Sequence, residues 1–159
     1  MSEARQVDLI FSYKKLSLGS ALIRLHQRAN YSHAAIKFFS NYMDMDLVYE
    51  ANISGVRILS YETWLAEGNV ITARASFQIH ADKMREKLQR AFSFLERPYG
   101  KLTILSILFN GQAFGADGTD SFICSEIAHD FLEYELPRID KSSDQITPKD
   151  LFKLVRAIK

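Results

Sequence analysis

Apolar residues dominate Val7-Asp8-Leu9-Ile10-Phe11-Ser12-Tyr13 in a pattern that predicts a first strand. From Leu18 to Ala29 the spacing changes to a helical one. Leu18, Ala21, Leu22 and Leu25 share one face, with Arg24 and Arg28 off it. Three β segments follow: His33 to Phe39, Leu47 to Ala51 and Val56 to Leu59. Asn52-Ile53-Ser54-Gly55 separates the last two and suits a hairpin turn, because Asn and Gly tolerate turn dihedrals. A short helix is predicted over Tyr61 to Ala66, and a strand over Val70 to Ala75. Ala81 to Arg97 carries Met84, Leu88, Ala91, Phe92 and Leu95 at helical spacing, with Pro98 as its stop. The apolar run Leu102 to Phe109 leads into a loop, Asn110 to Thr119, that holds three glycines. A helix over Ser121 to Tyr134 comes next. The last helix starts at Thr147, a good N-cap, with Pro148 in its first position.

Strands in the middle with helices before and after them predict an α+β fold, a sheet with helices packed on one side. The 159 residues suit one domain, and no repeat or linker divides them. Hydrophobic residues make up 47% and charged residues 25%, an ordinary globular balance. The net charge is +1 with Lys and Arg scattered, so the basic patch expected of a nucleic-acid binder is missing. The polar start, Met1 to Gln6, does not read as a signal peptide, and Leu102 to Phe109 is too short to span a bilayer. These features predict cytoplasmic synthesis.

Cys124 is the single cysteine. It lies in Phe122-Ile123-Cys124-Ser125-Glu126, at the predicted start of a helix, where the dipole favours a thiolate. A buried apolar filler is the other natural role for such a residue. A catalytic thiol needs a base, and His26, His33, His80 and His129 are available. His33 opens a strand beside the loop Asn30-Tyr31-Ser32, where a sheet could hold its ring toward a cleft; a surface histidine at a strand end fits the same pattern. His129 lies five residues beyond Cys124 and shares its helix face poorly. Glu50, ending the strand Leu47 to Glu50, is a candidate to orient His33, and a water-facing edge glutamate is the alternative. Glu126 suits the favourable charge of a helix N-terminus.

Four segments, in this order, resemble the circularly permuted papain-like amidases, the YiiX/YaeF-type branch of the NlpC-like hydrolases. They are Val7-Asp8-Leu9-Ile10, Tyr31-Ser32-His33-Ala34-Ala35-Ile36, Val48-Tyr49-Glu50-Ala51 with Gly55-Val56, and Pro98-Tyr99-Gly100 with Phe122-Ile123-Cys124-Ser125-Glu126. Val7 stands where that family usually has glycine, and Gly100 where it usually has an acidic residue. The resemblance implies that Cys124 is the nucleophile, His33 the general base and Glu50 the residue that orients it. It places Tyr99 near the cleft, with Tyr31 and Ser32 as further substrate contacts. It also implies that the sheet bearing the histidine precedes the cysteine helix.

The expected activity is hydrolysis of an amide through an acyl-enzyme, with a peptidoglycan stem peptide as the substrate borrowed from the wider family. Two alternatives stay open. One is a lipid or acyl-ester hydrolase or acyltransferase on the same residues, with Leu102 to Phe109 lining an acyl groove. The other is a non-catalytic binding module. The expected partner is a peptide or acyl-amide substrate, with no cofactor, metal, nucleic acid or integral membrane segment, and the oligomeric state is open. A cytosolic protein reaches a cell wall only by delivery, in a phage particle or through a secretion system.

Overall fold

The computed structural model describes residues 3–100, 122–141 and 145–158 of the chain. Its elements run β1 (Ala4–Lys14), α1 (Leu18–Gln27), β2 (His33–Ser40), β3 (Met45–Asn52), β4 (Gly55–Ser60), α2 (Tyr61–Ala66), β5 (Asn69–His80), α3 (Ala81–Ser93), α4 (Cys124–Phe131) and α5 (Pro148–Ala157). The strands form one five-stranded antiparallel sheet in the order β4-β3-β2-β1-β5. The predicted run Leu102 to Phe109, the loop Asn110 to Thr119 and Ser121 lie outside the described residues.

Strand alternation sorts the side chains onto two faces. Val7, Leu9 and Phe11 of β1, Ala34, Ile36 and Phe38 of β2, and Leu47, Tyr49 and Ala51 of β3 share one face. They meet Met84 and Ala91 of α3, Ile127, Ala128 and Phe131 of α4, and Leu151 and Val155 of α5. The opposite face carries a smaller cluster, Ile10, Ala35 and Val48 beneath Trp64 of α2. The sheet is therefore covered on both faces, whereas the sequence pattern predicts helices on one side.

Long-range pairing moves several boundaries. β5 continues to His80, five residues beyond its predicted end at Ala75, because β1 pairs with it from Ala4↔His80 to Lys14↔Asn69. α3 stops at Ser93, short of Arg97, because the chain bends there to meet β4. Glu96 donates its N–H to the Val56 carbonyl at 3.0 Å, and Val56 donates to the Arg97 carbonyl at 2.9 Å. That crossing passes so close to Gly55 that a Cβ there would sit 2.7 Å from the Arg97 carbonyl oxygen. The φ of +111° at Gly55 also favours glycine. α4 begins at Cys124 itself and ends at Phe131. α5 starts as predicted: Thr147 Oγ1 accepts from the Asp150 N–H at 3.2 Å, and Asp150 Oδ2 accepts from the Thr147 N–H at 3.0 Å.

α1 departs most from its pattern. Its leucine face points to solvent, and its buried residues are Ser20 and Gln27. Ser20 Oγ accepts from the Lys14 N–H at 3.2 Å and shares a 2.7 Å hydrogen bond with Ser32 Oγ. Polar contacts to the start of β2, not apolar packing, fix which side of α1 faces inward.

Candidate active site

Cys124 owes its position to anchors at both ends of α4. Ile123 is extended (φ −103°, ψ 161°) and delivers Cys124 to the first helical position. The Ser125 hydroxyl donates to the Ile146 carbonyl. At the other end the buried Lys87 ammonium donates to the Phe131 carbonyl at 2.6 Å and to Glu135 at 2.9 Å, a favourable cation at a helix C-terminus. A short parallel bridge between Tyr99 and Phe122 brings Tyr99 beside the helix start, with the Gly100 N–H donating to the Phe122 carbonyl at 3.0 Å.

The side chains of His33 and Cys124 are hydrogen-bonded to each other. His33 Nε2 lies 2.7 Å from Glu50 Oε2, which leaves Nδ1 to face the thiol. The sulfur also receives the Tyr99 hydroxyl and the Ala34 backbone N–H. Glu50 sits on the interior strand β3 and is 2% exposed, so it is not a water-facing edge residue.

A carboxylate buried this deeply is costly without partners. Its first oxygen accepts from Arg57 Nε at 2.8 Å, Arg57 Nη2 at 2.6 Å and Asn52 Nδ2 at 3.1 Å. Its second accepts from Trp64 Nε1 at 2.6 Å as well as meeting His33. Arg57 in turn pairs with Glu67, and Glu67 lies 3.9 Å from Lys14. Alternating charges thus run from the buried Glu50 out to the surface.

Burial alone would lower the His33 pKa. The charge of Cys124, its hydrogen bond and the Glu50 carboxylate outweigh that and hold His33 at about 10. Burial likewise pushes the Cys124 thiol up, but His33 and the Ala34 N–H bring it below its ordinary value. Burial would raise Glu50 too, yet His33, Trp64 and Arg57 hold it at about 2. The Tyr99 hydroxyl moves the other way, kept protonated by burial and by the nearby charges of Cys124 and Glu50. These shifts favour charge separation between Cys124 and His33, with the Tyr99 hydroxyl beside them as a neutral donor.

His33 and Tyr99 open onto a cleft of about 330 Å³. Ser32 lines it, with Ser17, Ser20 and Ile23 from the α1 side and Asn52 and Ile53 from the β3–β4 turn. Of the residues singled out in the sequence, Cys124, His33, Glu50 and Tyr99 come together, and Ser32 borders the same cleft. Tyr31 does not. Its ring is buried between Phe11 and Phe152, with centroids 5.2 Å and 5.0 Å away, so it packs in the core. Of the other histidines, His129 is held below its ordinary pKa by burial. Glu126 accepts from the Ile123 N–H at 3.4 Å, at the helix start.

Sequence reasoning passed over Trp64, Arg57 and Asn52. A signal for Arg57 was present. Once Asn52 and Gly55 close the hairpin, counting back along both strands pairs Glu50 with Arg57. Trp64 has no such signal, because only the fold swings α2 over the sheet.

A cysteine at a helix start, a histidine on the adjoining strand and a carboxylate behind it form the arrangement of a papain-like cysteine hydrolase in permuted order. A family model of the permuted papain-like amidase enzymes YaeF/YiiX, the C92 peptidases, matches residues 3–136. The chain belongs to that family. A crystal structure described as the metalloprotein YiiX from Escherichia coli O157:H7 is similar in fold, with a TM-score of 0.55 at 19% identity. The match covers 96% of this chain and 80% of that one. No curated protein matches the chain. Among the described residues, no group of three or more His, Cys, Asp or Glu side chains is placed to hold a metal ion. No helix among them is long and apolar enough to cross a membrane.

Proposed function

We propose that this cysteine hydrolase cleaves a peptide amide, with Cys124, His33 and Glu50 as its working residues. The hydrogen-bonded chain from Cys124 through His33 to Glu50, opening on one cleft, carries the reading. The Cys124 thiolate attacks the substrate carbonyl carbon and a tetrahedral oxyanion forms. The Tyr99 hydroxyl and the Cys124 backbone N–H, in the first turn where N–H groups have no intrahelical acceptor, are the donors for that oxyanion. The His33 imidazolium gives its proton to the leaving nitrogen as the C–N bond breaks. Neutral His33 then takes a proton from water, whose oxygen attacks the thioester and releases the acid and the thiolate. Glu50 fixes the ring and offsets its positive charge.

The cleft lining favours a peptide. Ser17, Ser20, Ser32 and Asn52 offer hydrogen bonds along it, and Lys14 stands at the rim, suited to a carboxylate. A stem peptide of peptidoglycan, with its free carboxylates, fits that lining. The test is incubation with purified muropeptides, read by mass spectrometry of the fragments. Cleavage at one amide, absent in Cys124→Ala, is expected. Intact muropeptides after prolonged incubation with protein that iodoacetamide still labels rapidly at Cys124 would remove this substrate class and leave the thiol chemistry standing.

A further inference from the structure

We infer that α1 and the turn before it form a docking surface for an anionic lipid bilayer. Four leucines stand in solvent there: Leu16 at 107% exposure, Leu18 at 85%, Leu22 at 59% and Leu25 at 77%. Leu18, Leu22 and Leu25 follow one another at helical spacing on one side of α1, opposite the buried Ser20 and Gln27. Isolated exposed leucines are common on proteins; a continuous stripe of them marks an interaction surface.

The charge around this stripe selects the partner. Exposed Lys15 precedes it, next to Lys14 with its loose 3.9 Å pairing to Glu67, and exposed Arg28 follows it. No Asp or Glu occurs between Asp8 and Asp44. The chain as a whole is +1, so this basic segment is a local concentration of charge. An apolar stripe bracketed by cations matches the layering of a membrane surface, with acyl chains below and anionic headgroups at the helix ends. A second copy of the chain fits poorly, because pairing the stripes would bring two basic sets together.

The surface adjoins the cleft. Ser17, Ser20 and Ile23 of this region line it, and Ile53, 73% exposed at the β3–β4 turn, gives a second apolar point at the same mouth. Docking through α1 would hold the cleft at headgroup level. The inference does not depend on the choice of amide.

Co-sedimentation of the full chain with vesicles tests it. Vesicles of phosphatidylcholine mixed with phosphatidylglycerol should bind the protein, and pure phosphatidylcholine should bind it far less. Raised salt should weaken binding. Lys15→Glu/Arg28→Glu should weaken it at least tenfold, since each basic residue near such a surface is worth about a fivefold change. Leu22→Glu/Leu25→Glu should abolish it. Rapid iodoacetamide labelling of Cys124, unchanged in both double variants, shows that the fold and the site survive and keeps this result separate from the catalytic reading. Failure of the unaltered chain to bind mixed vesicles, or binding that ignores both double variants, would overturn the inference. Self-association lost in Leu22→Glu/Leu25→Glu, without vesicle binding, would assign the stripe to a second copy and overturn it as well.

Discussion

Two short helices serve the candidate site, α1 lining its cleft and α4 carrying Cys124, and both carry apolar residues at helical spacing. They use them in opposite senses. α4 buries Ile127, Ala128 and Phe131 against β2 and β3, and its first residue is Cys124, the proposed nucleophile. α1 buries Ser20 and Gln27 and turns its leucines outward. The difference lies in what each helix meets. α4 lies across the apolar face of the sheet, where Ile36 and Tyr49 offer a dry surface. α1 lies at the end of the strands, where its inward side meets the Ser32 hydroxyl and the Lys14 backbone. Apolar periodicity shows that a helix has a face; the neighbour decides whether that face is core.

Substitutions in the two helices break the comparison most sharply at Cys124. Cys124→Ala should abolish iodoacetamide labelling and amide hydrolysis, while no residue of α1 should do so. In the same assays His33→Ala should remove the main influence holding the thiol pKa down, leave burial to push it up, and slow labelling at neutral pH at least tenfold. The pH profile separates the two roles proposed for His33. It stands at about 10 against an ordinary 6.5, so its proton is present at neutral pH and lost as pH rises through about 10. Hydrolysis, which needs that proton for the leaving group, should fall there, whereas alkylation, which needs only the thiolate, should persist.

In stability, Ile127→Ala in α4 removes a fully buried side chain and should cost about 3 kcal/mol by urea denaturation. The network behind the site comes next. Trp64→Phe deletes a donor to a buried carboxylate and should cost about 2 kcal/mol. Glu50 stands at about 2 when folded against an ordinary 4.5. Its contribution is therefore present above about 4.5 and lost as pH falls toward 2. Trp64→Phe should raise the folded value and move acid unfolding to higher pH, read by circular dichroism across an acid titration. Leu22→Ala in α1 should be the mildest, within about 0.5 kcal/mol of the unaltered chain. A loss as large as that of Ile127→Ala would mean that the stripe is packed, and the contrast between the helices would fail.

The sequence by itself determined the local elements and the identity of the chemistry. Alternating and helical spacings placed β1, β2, β3, β4 and α2 close to their observed positions, because those patterns follow from backbone geometry alone. Thr147 and Pro148 marked the start of α5 because capping is local. Cys124, His33, Glu50 and Tyr99 could be singled out by residue type, context and resemblance. Their meeting was a matter for the tertiary structure. So were the extension of β5 along β1, the bend of α3 where Glu96 and Arg97 bond to Val56, the burial of Tyr31 between Phe11 and Phe152, and the arrival of Trp64 over Glu50. All of these join residues distant in the chain, and a one-dimensional pattern holds no term for such contacts. The orientation of α1 belongs with them, set by a serine pair, Ser20 and Ser32, that no hydrophobic count would single out.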